Sequence, residues 1–347
     1  MTSVPTDIRA VARALVAPGT GILAIDESAG TCNKRFASLQ IPETIEMRRA
    51  YRELLLTATG LGSYVSGAIL YDETLAQRTA GGVPFLDVMD QAGILPGIKV
   101  DLGTTPLRSG SAEKVTEGLD GLAERAHAYR KRGARFAKWR AVVTIGAEIP
   151  SRGCLEANLQ ALARYARICQ DADLVPIVEP EVLMDGDHSL ERCDAVTEET
   201  LHVLFAALAA QRVALDAIIL KPAMVIPGER APHQVDVETV AAATVDCLRR
   251  TVPAAVAGIA FLSGGQSAVR ATEHLAAINR SPLSKPWPLT FSYGRALQQP
   301  ALDHWRGKPE RVAEAQRRLI DRTRCNAAAA RGTYEPSMET GAPTSRA

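Results

Sequence analysis

Short apolar runs alternate with longer amphipathic stretches along most of the chain. Eight runs are almost wholly apolar and end at a charged or small polar residue; they cover 21–26, 67–71, 97–101, 136–140, 175–180, 217–222, 258–264 and 289–294. Runs of this length without polar alternation are typical of strands that are buried on both faces. The pattern therefore predicts eight buried strands.

The stretches between these runs have the periodicity of helices. Predicted helices cover 43–59, 119–132, 155–170, 191–210, 237–250 and 267–279, with further helices at 8–16 and 310–330. Strict alternation of strand and helix predicts a parallel sheet with right-handed crossovers. Eight such units favour an α/β fold of the closed (β/α)8 TIM-barrel type.

An open, doubly wound sheet is the alternative arrangement of the same elements. Such sheets often carry a glycine-rich nucleotide-binding turn after the first strand. Here the first run is followed by Asp-Glu-Ser-Ala-Gly at 26–30, which is neither a GxGxxG motif nor a P-loop. The closed barrel is therefore preferred.

The chain is predicted to hold one domain and one tail. A barrel of about 250 residues with extra helices at both ends accounts for residues 1–331. Residues 332–347 are rich in Gly, Pro, Ser and Thr and have little apolar surface to bury. Because ordering such a segment costs conformational entropy, we predict a flexible C-terminal tail.

Composition and charge limit the kind of partner. Forty basic and thirty-nine acidic residues leave a net charge of +1, so no overall field attracts nucleic acid or an anionic membrane. The sequence has no apolar stretch near the roughly 20 residues of a membrane span. Six scattered cysteines form no CxxC pair, which favours reduced thiols and a cytoplasmic protein. A small molecule is the expected partner.

Lysine is used sparingly, and three lysines stand in predicted strands. Only eight of the forty basic residues are lysines, and Lys99, Lys138 and Lys221 lie near the C-terminal ends of their strands. In a TIM barrel this end presents the catalytic groups. A lysine that loses its proton can attack a carbonyl and form a Schiff base. Lys221, which follows the apolar run 218–220, is the predicted nucleophile; a pKa about 3 units below the usual 10.4 would suit that role.

Acidic and basic side chains are predicted to surround this lysine. Side chains two residues apart share a face of a strand, so Lys138 projects with Arg140, and Glu179 with Glu181. Asp26 is a further inward acid. Salt bridges that only tie the strands together are the alternative interpretation. Burying so many charges is costly for stability, however, so we favour proton transfer and catalysis.

Two loops have the composition of a phosphate site. Ser-Gly-Gly-Gln-Ser at 263–267 follows the seventh run and Tyr-Gly-Arg at 293–295 follows the eighth. Loops at these places in TIM barrels often hold phosphate, because main-chain amides and an arginine converge there. The six histidines show neither HxH nor HExxH spacing, so no metal site is predicted.

These motifs together resemble class I fructose-bisphosphate aldolase, the Schiff-base-forming type. The resemblance covers nearly the whole chain and rests on GILAIDES at 21–28, FAKWR at 136–140, VEPE at 178–181, LKP at 220–222, FLSGGQS at 261–267 and FSYGRA at 291–296. It implies a lyase of glycolysis and gluconeogenesis that reversibly cleaves fructose 1,6-bisphosphate to dihydroxyacetone phosphate and glyceraldehyde 3-phosphate. It also implies that no metal or other cofactor is needed and that the chain forms a homo-oligomer, a tetramer.

The resemblance implies a role for each matching residue. Lys221 forms the imine, Glu179 is the acid and base of imine formation, Lys138 stabilises the carbinolamine, and Asp26 deprotonates the carbon-4 hydroxyl. Glu181 completes the catalytic set beside Arg140. The implied substrate-binding positions are Ser28, Thr31, Arg35, Lys99, Arg140, Ser263, Gly264, Ser292, Gly294 and Arg295. Of these, Arg295, Ser263, Gly264 and Gly294 face the carbon-1 phosphate, and Ser28, Arg35 and Lys99 face the carbon-6 phosphate.

The sequence departs from the family pattern at several positions. Thr31 replaces a usual serine, and Leu102 stands where lysine is common, which removes a positive charge from the site. The family's terminal tyrosine has no match in Ser-Arg-Ala at 345–347, and Tyr334 is assigned no role. A seven-carbon bisphosphate, fructose 1-phosphate or a transaldolase-like transfer therefore stay open as alternatives, as does a non-enzymatic scaffold.

Overall fold

A closed parallel barrel forms the centre of the computed structural model, which describes residues 7–339. The barrel strands follow the chain in order, and the last pairs with the first. They are β1 (Gly21–Ile25), β2 (Val65–Leu70), β3 (Leu95–Lys99), β6 (Phe136–Val143), β7 (Val175–Val182), β8 (Ile219–Leu220), β9 (Gly258–Phe261) and β10 (Leu289–Tyr293). The predicted TIM barrel is confirmed.

Helices surround the barrel. They are α1 (Ile8–Leu15), α2 (Ala29–Ala37), α3 (Ile45–Leu56), α4 (Asp72–Ala76), α5 (Phe85–Gln91), α6 (Leu122–Lys131), α7 (Arg152–Asp171), α8 (Leu190–Ala210), α9 (Val237–Thr251), α10 (Ala268–Arg280), α11 (Arg295–Trp305) and α12 (Val312–Ala330). Four of the long helices begin where a serine or aspartate side chain accepts a hydrogen bond from a main-chain N–H three residues later. Among residues 7–339, no helix is both long and apolar enough to cross a lipid bilayer.

Some elements differ from the sequence expectation. The run predicted at 217–222 contains only two residues of regular strand, because a 3₁₀ turn occupies 215–217 and Pro222 has no N–H to donate. A small antiparallel hairpin, β4 (Thr104–Pro106) with β5 (Lys114–Thr116), was not predicted. Its strands are three residues long and largely exposed, so they carry no hydrophobic pattern.

The N-terminal end of the barrel is filled by large side chains and closed by α1. Leu15 and Val16 pack there with Phe136 and other inward strand residues. Glycines on β2 and β3 leave room for the Phe136 ring, because a Cβ added at Gly97 would overlap the atoms of that ring. This dense packing leaves only the opposite, C-terminal end of the strands for a binding site.

The segment 332–339 packs against α10 and α12. Tyr334 is buried, its hydroxyl is 3.0 Å from Glu339 Oε1, and Glu339 forms an ion pair with Arg322 of α12. From its composition, this segment was predicted to belong to a flexible tail. The buried ring of Tyr334 holds it in place, and composition does not indicate that contact. The rest of that tail, 340–347, lies outside the described residues, so the domain boundary at 332 stays a prediction.

Replacement of Gly97 by alanine should destabilise the barrel. The new methyl group would clash with the buried Phe136 ring, and overpacking of this kind costs about 1–3 kcal/mol. Gly153, near the start of α7, has open space where an alanine methyl group would lie and is the matched control. Urea unfolding should show lower stability for Gly97→Ala and equal or higher stability for Gly153→Ala. Equal stability of the two variants would contradict this account of the packing.

Candidate active site

Four charged side chains from neighbouring strands meet inside the barrel: Asp26 directly follows β1, Lys221 directly follows β8, and Lys138 and Glu179 lie within β6 and β7. Lys221 Nζ lies 3.2 Å from Glu179 Oε1, and Lys138 Nζ lies 3.4 Å from Glu179 Oε2 and 2.6 Å from Asp26 Oδ2. Lys138, Glu179 and Lys221 are each only 4% exposed. We call these four residues the central charge cluster. Positive and negative groups alternate along it, with Glu179 shared between the two lysines.

Strand register brings these groups together. In the parallel pairing of β6 with β7, Lys138 stands opposite Ile177 and Arg140 opposite Glu179. The main-chain N–H of Lys221 donates to Val178 O at 2.8 Å, which fixes Lys221 at the end of β8 beside β7. Neighbouring strands therefore deliver one lysine, one glutamate and a second lysine to the same end of the barrel.

Mutual interaction sets the charge states of Asp26 and Lys138. Burial by itself would raise the pKa of Asp26, but the positive charges of Lys138 and Lys221 outweigh it and lower this pKa to about 2. Burial by itself would lower the pKa of Lys138, but the carboxylates of Asp26 and Glu179 hold it well above its usual value. At neutral pH, Asp26 is therefore an anion and Lys138 a cation.

Two further ion pairs border the cluster. Arg140 pairs with Glu181, and Lys99 pairs with Asp101 and also donates to the Asp101 carbonyl at 2.6 Å. Asp101 Oδ2 in turn accepts a hydrogen bond from the main-chain N–H of Arg140 at 3.4 Å. Asp101 thus links the end of β3 to β6.

A cavity of about 560 Å³ opens beside the cluster, within the usual size range for small-molecule sites. Predicted site residues in its wall are Asp26, Ser28, Thr31, Lys99, Lys138 and Arg140. Asp26 and Lys138 thus belong both to the cavity wall and to the central charge cluster. Ser28 begins α2, where its Oγ accepts the Thr31 N–H at 3.3 Å, so both hydroxyls are held at one helix end.

The two loops that were predicted to hold a phosphate lie close together. Gly264 and Gly265 have φ values of 58° and 93°, left-handed conformations that glycine adopts without strain. A Cβ added at Gly265 would lie 3.8 Å from Arg295 Nη2, so the Arg295 guanidinium reaches the loop that follows β9. The buried Ser292 Oγ has no hydrogen-bond partner among the described residues. The loop after β9 and Arg295, at the start of α11, therefore lie side by side.

Arg35 contacts several side chains near the cavity. Its guanidinium pairs with Glu27 and donates to Gln298 at 3.2 Å and to Gln299 at 3.1 Å. It does not belong to the described wall of the cavity. Glu27 is partly buried and requires a counter-charge, which explains this position of Arg35. Contact between Arg35 and a carbon-6 phosphate stays a prediction.

Comparison with known proteins assigns the family. The family model described as fructose-bisphosphate aldolase class-I matches residues 7–347. The chain is 54% identical to a probable fructose-bisphosphate aldolase class 1 of Xanthomonas campestris pv. campestris, over 93% of this chain and 97% of that protein.

The chain belongs to the class I fructose-bisphosphate aldolase family. It is also 52% identical to the cytosolic fructose-bisphosphate aldolase 4 of Arabidopsis thaliana, over 93% of this chain and 82% of that protein. The solved structure of Plasmodium falciparum aldolase, in complex with TRAP and a small-molecule inhibitor, superposes with a TM-score of 0.92. Its sequence is 47% identical, and the match covers 94% of this chain and 95% of that one.

Several residues of this aldolase's cavity were missed by sequence reasoning. They are Tyr71, Asp72, Arg125 and Tyr129. They lie just after β2 and on helices α4 and α6, away from the strands to which functional residues were assigned. No motif in the sequence marks them. Within residues 7–339, no group of three or more His, Cys, Asp or Glu side chains is placed to hold a metal ion.

Removal of the Lys138 charge should raise the pKa of Asp26. In the native protein this carboxyl is ionised above pH about 2, and its ionised form adds to stability above its ordinary pKa of 3.8, a contribution lost as pH falls through about 2. In Lys138→Met the positive charge that opposes the effect of burial on Asp26 is lost, so the pKa of Asp26 should rise. Carbon-13 NMR of labelled aspartate measures it. Lys114→Met, at an exposed lysine of β5, should leave the value near 2, and an equally low value in Lys138→Met would contradict the assignment.

Proposed function

We propose that this aldolase reversibly cleaves fructose 1,6-bisphosphate through a Schiff base on Lys221. One observation carries the proposal: the Lys221 amine is buried at the end of β8, 3.2 Å from a glutamate that is shared with a second lysine. A buried amine with an adjacent acid and base is the arrangement that imine chemistry requires. The family assignment supports the same reaction.

Imine formation uses the centre of the cluster. The Lys221 ammonium first passes a proton to the Glu179 carboxylate, 3.2 Å away. The neutral amine then attacks carbon 2 of the open-chain ketose, and a carbinolamine forms. Glu179 donates a proton to the departing hydroxyl, so water leaves and a protonated imine remains. The ammonium of Lys138, 3.4 Å from Glu179, stabilises the negative charge that develops on oxygen during this step. The ion pair of Glu181 with Arg140 preserves the charge balance around the central charge cluster.

Carbon–carbon cleavage uses Asp26. Its carboxylate takes the proton of the carbon-4 hydroxyl, the bond between carbons 3 and 4 breaks, and the electron pair moves into the protonated imine. Glyceraldehyde 3-phosphate leaves and an enamine remains on Lys221. Protonation of carbon 3 and hydrolysis of the imine then release dihydroxyacetone phosphate. The low pKa of Asp26 keeps this base ionised at neutral pH, before substrate binds.

The two phosphates are assigned to opposite sides of the cluster. The carbon-1 phosphate contacts Arg295, Ser263 and the main-chain amides near Gly264 and Gly294, with Ser292 nearby. The carbon-6 phosphate faces the group formed by Lys99, Ser28 and Thr31 in the cavity wall. Two dianions held this way fix the reacting carbons over Lys221 and Asp26.

We further propose a cytoplasmic location and a homotetrameric assembly, with roles in glycolysis and gluconeogenesis. The names of plant relatives, a cytosolic aldolase of Arabidopsis thaliana and a cytoplasmic isozyme of Pisum sativum, support the location. All six cysteines are buried and free, which agrees with a reducing compartment. The tetramer rests on the family resemblance.

Borohydride reduction tests the nucleophile. With dihydroxyacetone phosphate present, reduction should add the mass of the three-carbon adduct to the peptide that carries Lys221, because hydride converts the imine to a stable amine. Lys221→Met should give no adduct and no cleavage, whereas Lys114→Met should behave as the native enzyme. Peptide mass mapping provides the measurement. An active native enzyme without label on Lys221 would refute the proposal.

Leu102 sets the strength of the carbon-6 phosphate contact. This side chain is 70% exposed and stands in the cavity wall close to Lys99. In Leu102→Lys, an added exposed charge is worth about 0.2–1 kcal/mol, so KM for fructose 1,6-bisphosphate should fall about 1.5- to 5-fold. KM for fructose 1-phosphate, which lacks the second phosphate, should not change. Steady-state kinetics on both substrates decide it; an equal fall for both would contradict the assignment of this side of the cavity.

A further inference from the structure

A buried amide lies beneath the site and is not explained by the chemistry above. Gln298 of α11 is 0% exposed, and its four hydrogen-bonding positions are all used. Its Nε2 donates to the carbonyl of Ala24 and, at 3.0 Å, to Glu27 Oε1. Its Oε1 accepts from the Tyr51 hydroxyl at 2.8 Å and from Arg35 Nη1 at 3.2 Å. We infer that Gln298 is a positioning residue that aims the Asp26 carboxylate.

The two donor contacts of Gln298 bracket Asp26 along the chain. Ala24 is two residues before Asp26, and Glu27 directly follows it. Consecutive residues of an extended chain point in opposite directions, so a Glu27 side chain held toward α2, α3 and α11 directs Asp26 away from these helices. The Asp26 carboxylate accordingly contacts Lys138 of β6, whereas Glu27 contacts Arg35 of α2 and Arg52 of α3.

Only an amide side chain can form all four hydrogen bonds at this position. Both atoms that Nε2 faces, the Ala24 carbonyl and a Glu27 carboxylate oxygen, accept hydrogen bonds, whereas both groups that Oε1 faces donate them. A carboxylate would set acceptor against acceptor, and an ammonium would leave two donors unpaired. Because the site is buried, each unmade bond would be costly. The orientation of the amide is therefore fixed.

The same amide connects Asp26 to the phosphate end of the site. Gln298 lies one helical turn after Gly294 and Arg295, and a Cβ added at Gly294 would lie 3.4 Å from the Ala24 carbonyl and 3.7 Å from Gln298 Nε2. α11 is itself held by buried apolar side chains, so it is the fixed partner. The short segment after β1 is the part that Gln298 restrains. This inference rests on the proposed function, in which Asp26 acts in cleavage but not in imine formation.

The test separates imine formation from carbon–carbon cleavage. Gln298→Met keeps the length of the side chain and removes all four hydrogen bonds. Misplacement of a catalytic group by about 1 Å costs up to about 100-fold in rate, so kcat for fructose 1,6-bisphosphate should fall about 10- to 100-fold. Borohydride trapping of dihydroxyacetone phosphate on Lys221 should stay within about twofold of the native rate, because the imine residues are on other strands.

Gln299→Met is the matched control. Gln299 is the next residue of α11 and contacts the same Arg35 at 3.1 Å, but its amide nitrogen donates to Asp303, not to β1. Its kcat should stay within about twofold of native. If Gln298→Met also keeps native kcat, or loses trapping and cleavage in equal proportion, the positioning role is wrong. A native enzyme that neither traps nor cleaves would instead overturn the proposed function.

A second variant decides the matter if Gln298→Met does not fold. Tyr51→Phe removes only the hydroxyl that donates to Gln298 Oε1 and leaves the ring in place. It should lower kcat by a smaller factor, about 2- to 10-fold, again with unchanged trapping, since one hydrogen bond of the four is lost. Native kcat in Tyr51→Phe would then overturn the inference.

Discussion

The site depends on one carboxylate shared between two ammonium groups. Glu179 lies between Lys221 and Lys138, and Asp26 balances the second of these lysines on its far side. Removing one partner from a buried ion pair commonly costs about 3–5 kcal/mol, which is a large part of a domain's free energy of unfolding. Each member of the cluster thus requires the others. The same balance keeps Asp26 ionised in a place where burial alone would neutralise it.

The barrel makes this arrangement possible. Parallel strands present their C-terminal ends to one opening, so β1, β6, β7 and β8 each contribute a charged side chain to a single point. Large side chains fill the opposite end, where Phe136 packs over glycines of the neighbouring strands. Helix α1 closes this end of the barrel. Water is thereby excluded from below the cluster, and the phosphate loops after β9 and β10 stand beside it. The fold separates a packed, stabilising end from a charged, reactive one.

Much of this could be predicted from the sequence, because strands and charges leave strong local patterns. The apolar runs that precede Lys221, Glu179 and Asp26 indicated both the barrel and the direction in which these residues point. Contacts between distant parts of the chain left no such pattern. Gln298 lies 274 residues from Ala24, and nothing in the sequence around either residue indicates that they meet.

The contacts of individual side chains could not be predicted from the local sequence either. Arg35 was predicted from the motif to contact a phosphate, and the motif did not indicate that its guanidinium pairs with the partly buried carboxylate of Glu27. Tyr334 lay within a segment of tail-like composition, yet one buried ring and an ion pair of Arg322 with Glu339 hold residues 332–339 in place. In both cases side-chain contacts that the sequence pattern does not show set the surroundings of the residue.

The central claim is that a protonated imine on Lys221 is the electrophile for cleavage, without a metal ion. Glu179 and Asp26 transfer the protons. Cleavage of fructose 1,6-bisphosphate before and after dialysis against EDTA tests it most directly. The account predicts the same kcat in both samples, because an imine takes the place that a metal ion has in other carbonyl chemistry. Loss of activity in EDTA that added zinc restores would contradict it.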